Sequence, residues 1–244
     1  PAAPAPAAPS TAAAPTPAAA PVTVAVPAPA PAAAVAPAGD LNDANRLLAE
    51  GKKYEARALF TKLILAAPEG PARTDLRRAL DGINAEIFFS PAAPSPDCVF
   101  HVVQRGDTLA NVSAKNKKDV YFSRLIMKIN NISDEKRVRL NQRLKVPQGQ
   151  FSALVQKRAH RLIILLNGHY IKEYSVALGA PATPTPEGLF IIDDNKMINP
   201  DWYAPDGKIY RFGDPQNILG TRWLGFKEAD GRRGFGIHGT SDPA

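Results

Sequence analysis

The chain has 244 residues, with 30 Lys and Arg against 23 Asp and Glu, for a net charge of +7. That length allows one to three domains, and a single cysteine excludes an internal disulfide framework. No apolar run is long enough to cross a bilayer as a helix, and the four scattered histidines offer no zinc-ligand spacing, so neither a membrane span nor a metal site is expected in this chain.

Nothing before Asp40 is charged, and 30 of the first 38 residues are Ala or Pro. Such a composition buries too little apolar surface to offset chain entropy and favours extended, polyproline-like conformations, so residues 1–39 are expected to form a disordered, semi-rigid spacer. The chain begins with Pro1, and any export signal or membrane anchor is expected to lie upstream of it.

Residues 40–90 carry eight basic and eight acidic residues at helical spacing. Leu47, Leu48, Tyr54, Ala56, Phe60 and Leu63 trace two amphipathic helices meeting at Gly51-Lys52-Lys53, with Pro68 and Gly70 ending the second. A third helix is expected from about Arg73 to Phe88. The pattern Gly51-x-x-Tyr54-x-Ala56-x-x-x-Phe60 resembles a tetratricopeptide helical hairpin. Such units usually stack about three deep to bury a continuous face. One unit stands alone here, so it either packs on the rest of the chain, the preferred reading, or offers a surface to a protein partner.

Residues 91–98 read as a proline-rich linker. Beyond it, Val99–Val103 alternates like a short strand, Gly106-Asp107-Thr108-Leu109 supplies a turn, and Asp107 or Thr108 can cap the helix that follows. A second helix is expected from Val120 to Lys128, broken by Asn130-Asn131, before a loop and closing strand over Leu140–Pro147. The segments His101-Val-Val-Gln-Arg-Gly-Asp-Thr-Leu109, Ile129-Asn-Asn-Ile132 and Arg143-Leu-Lys-Val-Pro147 resemble a LysM domain over residues 99–148. The resemblance implies a β-α-α-β fold that binds N-acetylglucosamine-containing glycans such as peptidoglycan. By analogy the glycan-facing positions are Gly106, Asp107, Thr108, Leu109, Asn130, Asn131 and Ile132. The usual glycine before Gln142 is Asn141 here, which puts that turn in question.

Residues 91–150 hold eleven basic and five acidic residues, six of the seven net positive charges. Lys115, Lys117 and Lys118 lack interleaved aromatics, so no nucleic-acid partner is expected. A solvated face or attraction to an anionic wall matrix fits better.

From Phe151 the period becomes two. Leu154–Lys157 reads as a strand, and Arg161–Leu166 and Tyr170–Leu178 form a hairpin about Asn167-Gly168, a pair that supplies the positive φ angles of a type I′ turn. Gly179 ends that strand and Gly188–Ile192 starts another. Residues 195–233 form a long, aromatic-rich stretch expected to pack in an ordered way over a cleft. Near the end, Gly236-Ile237-His238-Gly239-Thr240 pins a histidine between glycines. A histidine titrates near neutral pH and small neighbours allow close approach, so His238 is either a general base at a strand end or an ordinary hydrogen-bonding strand residue. Cys98 is a poor nucleophilic partner, because a reactive thiolate needs a cationic setting and its neighbour is Asp97.

Thr183–Phe190, Asn199–Tyr203, Asn217–Trp223 and Gly236–Thr240 together resemble the YkuD-type (ErfK/YbiS/YcfS/YnhG) L,D-transpeptidases over residues 151–244. The resemblance implies a β-rich domain that cross-links or decorates peptidoglycan by acyl transfer, with His238 as base and the Gly239 carbonyl orienting it, a chemistry that calls for neither a metal nor an organic cofactor. It also implies a nucleophilic cysteine and an arginine beyond residue 244, so that the 244 residues alone would be inactive. The expected whole is therefore α+β and multidomain, with a disordered Ala/Pro-rich N-terminus, a tetratricopeptide-like hairpin, a β-α-α-β LysM domain and an incomplete β-rich YkuD-type domain. Its implied partners are peptidoglycan glycan strands and stem peptides, and its implied place is the bacterial cell envelope, periplasm or wall. The competing reading is a non-catalytic peptidoglycan-binding envelope protein. A thiol-independent hydrolase is poorly supported, since no acidic pair or serine elbow accompanies His238.

Overall fold

The computed structural model describes residues 38–115, 122–204, 206–228 and 234–240. The spacer up to residue 37 lies outside them, as do Lys117 and Lys118. The fold is α+β and multidomain, with three helices leading into mixed and all-β units.

Helices α1 (Ala38–Ala49), α2 (Lys53–Ala66) and α3 (Pro71–Ile87) form the first unit. Gly51, at φ 76°, takes the left-handed conformation that reverses the chain between α1 and α2. Pro71 opens α3 where its missing amide hydrogen has no intrahelical partner to lose. Ala56, Phe60, Leu63 and Ile64 of α2 and Leu80, Ile83 and Ile87 of α3 recur at helical spacing and are all buried. Their cover is not another repeat: Ile163 and Tyr170 from a β-sheet complete the same apolar cluster. The helical unit therefore packs on the chain itself.

That sheet has the order β3-β4-β5, with β3 at Phe151–Gln156, β4 at Arg161–Leu166 and β5 at His169–Ser175, all antiparallel. Asn167 and Gly168 sit at φ 52° and 80°, as the tight hairpin requires. Alternation fails in β4, which is apolar from Leu162 to Leu166 because both faces of the sheet are covered. Ile163, Tyr170 and partly buried Leu165 face the helices, whereas Leu166, Ile171 and partly buried Ile164 pack with Phe88, Cys98 and Ile129. β5 ends at Ser175, short of Gly179.

On that second face lies a β-α-α-β unit made of β1 (Cys98–Val102), α4 (Leu109–Lys115), α5 (Phe122–Ile129) and β2 (Arg143–Pro147). β1 and β2 pair antiparallel from Cys98↔Pro147 to Val102↔Arg143, over a core of Val103, Leu109, Val112, Ile126, Leu144 and Val146. Asn141 adopts φ 63°, so asparagine makes the turn that glycine was expected to make. Lys145 is fully buried, and its Nζ donates to the carbonyls of Ile87 at 2.6 Å and Ser90 at 3.0 Å, which fastens β2 to the end of α3. Burial lowers its pKa, against a smaller opposing effect from the nearby Cys98 thiol.

Within the segment read as a linker, Ser95, Asp97 and Cys98 are buried while Ala92, Pro94 and Pro96 are exposed. Asp97 is the meeting point of the three units described so far. Its carboxylate accepts from the buried Arg57 guanidinium of α2 and, at 2.9 Å, from Asn167 Nδ2 of the hairpin, while its carbonyl accepts from Gln148 N at 2.6 Å.

The rest of the chain forms a sheet of order β10-β9-β6, from β6 (Ile192–Ile198), β9 (Arg222–Phe226) and β10 (Gly236–His238), beside a small pair β7 (Trp202–Tyr203) and β8 (Ile209–Tyr210). Two expectations change here. The strand placed over Gly188–Ile192 begins only at Ile192, with Leu189 and Ile191 exposed, and the supposed long loop of residues 195–233 contains β7, β8 and β9.

Candidate active site

β10 pairs antiparallel with β9, setting His238 opposite Trp223 and Ile237 opposite Leu224. Directly opposed residues share a face, so the His238 and Trp223 rings meet, stacked at 5.8 Å between centroids. His238 is exposed, and its Nδ1 lies 2.6 Å from the Gly239 carbonyl oxygen. A carbonyl can only accept, so Nδ1 carries the hydrogen; in the neutral ring Nε2 then holds the free lone pair. The contact therefore leaves Nε2 as the ring's available acceptor.

Both flanking glycines are closely packed, Gly236 so tightly that a side chain would force a shift. A Cβ on Gly236 would come within 2.7 Å of the Leu224 carbonyl and 2.9 Å of the Trp223 ring, and one on Gly239 within 3.2 Å of the Leu219 carbonyl. Gly220, at φ 63°, passes equally close to Thr240.

Four separated stretches converge on this strand pair. Asn217 is buried and donates to the carbonyls of Pro200 at 2.9 Å and Tyr210 at 3.1 Å while accepting from Leu219 N, so one amide ties β7, β8 and the approach to β9 together. Asn199 N donates to Thr221 O and Gly239 N to Arg222 O. Asp201 accepts from Phe212 N at 3.0 Å and from Arg211, which hold its pKa below the usual carboxylate value. Phe190 stacks on Phe226 at 5.0 Å, bringing in the stretch before β6.

Cys98 lies in β1, buried, and burial pushes its thiol up to about 11. Burial thus holds this thiol in its protonated form, the less nucleophilic one, at neutral pH. Among the described residues no group of three His, Cys, Asp or Glu is placed to hold a metal, and no helix is long and apolar enough to cross a membrane.

Of the seven positions expected to face glycan, Gly106, Thr108 and Asn131 are exposed. The others are tied inward. Leu109 is core, and Ile132 is partly buried against it. Asn130 Nδ2 donates to Ile126 O at 2.7 Å and Lys145 O at 2.8 Å, and its Oδ1 accepts from Lys145 N. Thr108, not Asp107, caps α4, its Oγ1 accepting from Asn111 N at 3.1 Å. Asp107 instead accepts from Lys115 at 2.5 Å, Gln104 N at 2.9 Å and His101 at 2.8 Å, contacts that hold its pKa far below the usual carboxylate range.

The native pKa of Asp107 is depressed, so its stabilisation is complete above the unfolded value near pH ~4 and fades as pH falls towards the native value. Asp107→Asn keeps an acceptor for Gln104 but loses the charge. Its thermal midpoint should lie below wild type at pH 7, with the gap closing below about pH 4; a gap that does not close on acidification would show that the charge contributes nothing.

Two domain families match this chain. The LysM domain matches residues 101–147, and the L,D-transpeptidase catalytic domain, YkuD, matches residues 150–244. The chain carries a LysM domain followed by a YkuD domain. A Bacillus subtilis (strain 168) protein named "Putative L,D-transpeptidase YqjB" is 42% identical over 90 residues, 36% of this chain and 48% of that protein. The chain thus spans about half the length of that relative. The YkuD match covers the β3–β5 sheet as well as β6–β10, so the surface on which the helical unit packs belongs to the YkuD domain.

What sequence reading missed in the YkuD domain is Trp223 as the ring against His238 and Asn217 as the buried tie. Both are set by strand register and loop closure, which local pattern does not reveal.

Proposed function

We propose that the protein is a peptidoglycan L,D-transpeptidase of the bacterial cell envelope, whose LysM domain holds glycan while the YkuD domain transfers an acyl group between stem peptides. The observation that carries this reading is the geometry of His238: exposed, stacked on Trp223, with Nδ1 engaged by the Gly239 carbonyl and Nε2 left as the basic atom.

In the reaction a cysteine thiol gives its proton to Nε2 and attacks the carbonyl of the residue before the terminal D-amino acid. A thioester forms and the terminal residue leaves as an amine, carrying a proton. The acceptor amine then attacks the thioester, loses a proton to the same ring, and regenerates the thiol. The burial of Cys98 in β1 and its raised pKa support a nucleophile other than Cys98, outside residues 1–244. Gly106, Thr108 and Asn131 provide the accessible rim for glycan, and Asp107, Leu109, Asn130 and Ile132 hold that rim in shape.

Mass spectrometry tests both parts. Residues 1–244 should form no adduct with a stem tetrapeptide or a carbapenem, and an adduct on Cys98 would overturn the assignment of the nucleophile. The full-length gene product should form a thioester with the tetrapeptide. Binding to wall sacculi without any acyl-enzyme would leave a non-catalytic peptidoglycan-binding protein instead.

A further inference from the structure

A cleft of about 370 Å³ separates the LysM domain from the YkuD sheet, lined by Arg124 and Glu135 on one side and by Lys196, Met197, Ile198, Arg222 and Leu224 on the other. Its volume suits a small ligand segment. In register, Lys196 opposes Leu224 and Ile198 opposes Arg222, whereas Met197, Trp223 and His238 lie in one cross-strand row. Side chains alternate between faces, so Lys196, Ile198, Arg222 and Leu224 stand on the side of the sheet away from the His238 ring.

Three cations and one carboxylate line the cleft. Arg222 donates to the neighbouring Thr221 carbonyl at 2.6 Å, but neither it nor Arg124 forms an ion pair among the described residues. Two guanidiniums from different domains turned on one space, above an apolar floor of Ile198 and Leu224, fit a ligand with carboxylates on an aliphatic backbone. A peptide of small residues with free carboxyl groups has that composition.

We propose that this interdomain cleft binds a carboxylate-bearing stem peptide of the wall polymer as an anchor, separate from the peptide being processed. The inference rests on the transpeptidase reading for the nature of the polymer. A stem held there sits behind the sheet and cannot offer its carbonyl to His238, so the reacting stem belongs to a different position on the polymer. The LysM domain and the cleft then grip the wall together, which raises the local concentration of reacting stems without a new catalytic contact.

Calorimetric titration of the full chain tests this with three probes: a soluble disaccharide tetrapeptide, its carboxamide form, and a neutral N-acetylglucosamine tetramer. The free-carboxylate probe should bind about tenfold more tightly than the amidated one, the order expected of one charge-assisted contact. Arg222→Glu and Arg124→Glu should each abolish that preference, Arg222→Lys should retain part of it, and tetramer affinity should not change. Equal binding of the two peptide probes, or a loss confined to Arg124→Glu, would overturn the inference, the latter by placing the site on the LysM domain alone. Poly(glycerol phosphate) binding through both arginines without peptide binding would overturn it as well, in favour of a phosphate polymer. Failure of the tetramer to bind would sink the glycan reading alone, because the carboxylate preference is read on the peptide probes.

Discussion

Asp97→Ala is expected to destabilise the helical unit by about 3–5 kcal/mol, the cost of leaving a buried charge without its partner. Arg57 and Asp97 expose 1% and 5% of their side chains, and the two residues lie 40 positions apart in the chain. Removing the carboxylate strands the guanidinium in a site water does not reach, and Arg57 Nε already lacks a partner. The same change frees Asn167 Nδ2, whose bond to Asp97 secures the β4–β5 hairpin. Arg57 also donates to Asn84 Oδ1, and Asn84 Nδ2 reaches the Tyr170 and Ile171 carbonyls, so the damage should spread to the helix–sheet seam. Denaturant unfolding followed by far-UV circular dichroism reports the helices, while both tryptophans, Trp202 and Trp223, report the β7–β10 region. The dichroism transition should move to lower denaturant by much more than the fluorescence transition. Adding Arg57→Leu to Asp97→Ala should recover a large part of the loss, because an apolar replacement removes the stranded charge. Equal stability of Asp97→Ala and wild type would show that the pair is not desolvated.

The same seam shows where sequence reasoning worked and where it stopped. Helical periodicity located Ala56, Phe60 and Leu63 as inward, because a helix writes its buried face into spacing alone. The Asn167-Gly168 hairpin was legible for a similar reason: two residues with positive φ define the turn locally. What covers the helices was not legible. β4 is apolar at successive positions, and only tertiary structure divides Ile163 and Leu165 from Ile164 and Leu166 between two different cores. The strand misplaced over Gly188–Ile192 failed differently. Leu189 to Ile192 carries strand-forming residues but the strand begins only at Ile192, and the polar residues that follow belong to it because β9 pairs with Ile192 and Lys196 on either side of an irregular register. Long-range pairing overrode local propensity there. In the candidate site, the glycines about His238 could be read directly, since close approach demands them. The arginines facing across the interdomain cleft could not, because they meet only after both domains have folded.

His238→Ala in the full-length protein should lower the rate of acyl-enzyme formation by about 10²–10⁴, the usual contribution of a positioned general base. The substitution removes an exposed ring and leaves the β9–β10 ladder intact, so binding to wall sacculi and thermal stability should stay near wild type. Gly236→Ala separates position from chemistry. It keeps the imidazole but forces a methyl against the Leu224 carbonyl and the Trp223 ring, so β10 must lift from β9 and carry His238 off its stacking partner. A misplaced base loses the geometry that makes it effective, and a displacement of about 1 Å costs about 10²-fold in comparable sites. The two variants should therefore both slow acylation, with Gly236→Ala also losing stability and His238→Ala not. Single-turnover acylation by a stem tetrapeptide measures the first effect and thermal melting the second. Wild-type acylation in His238→Ala would refute its role as base. Wild-type acylation in Gly236→Ala would mean that the close packing of β10 on β9 does not position the ring, and that the Gly239 carbonyl alone is sufficient to orient it.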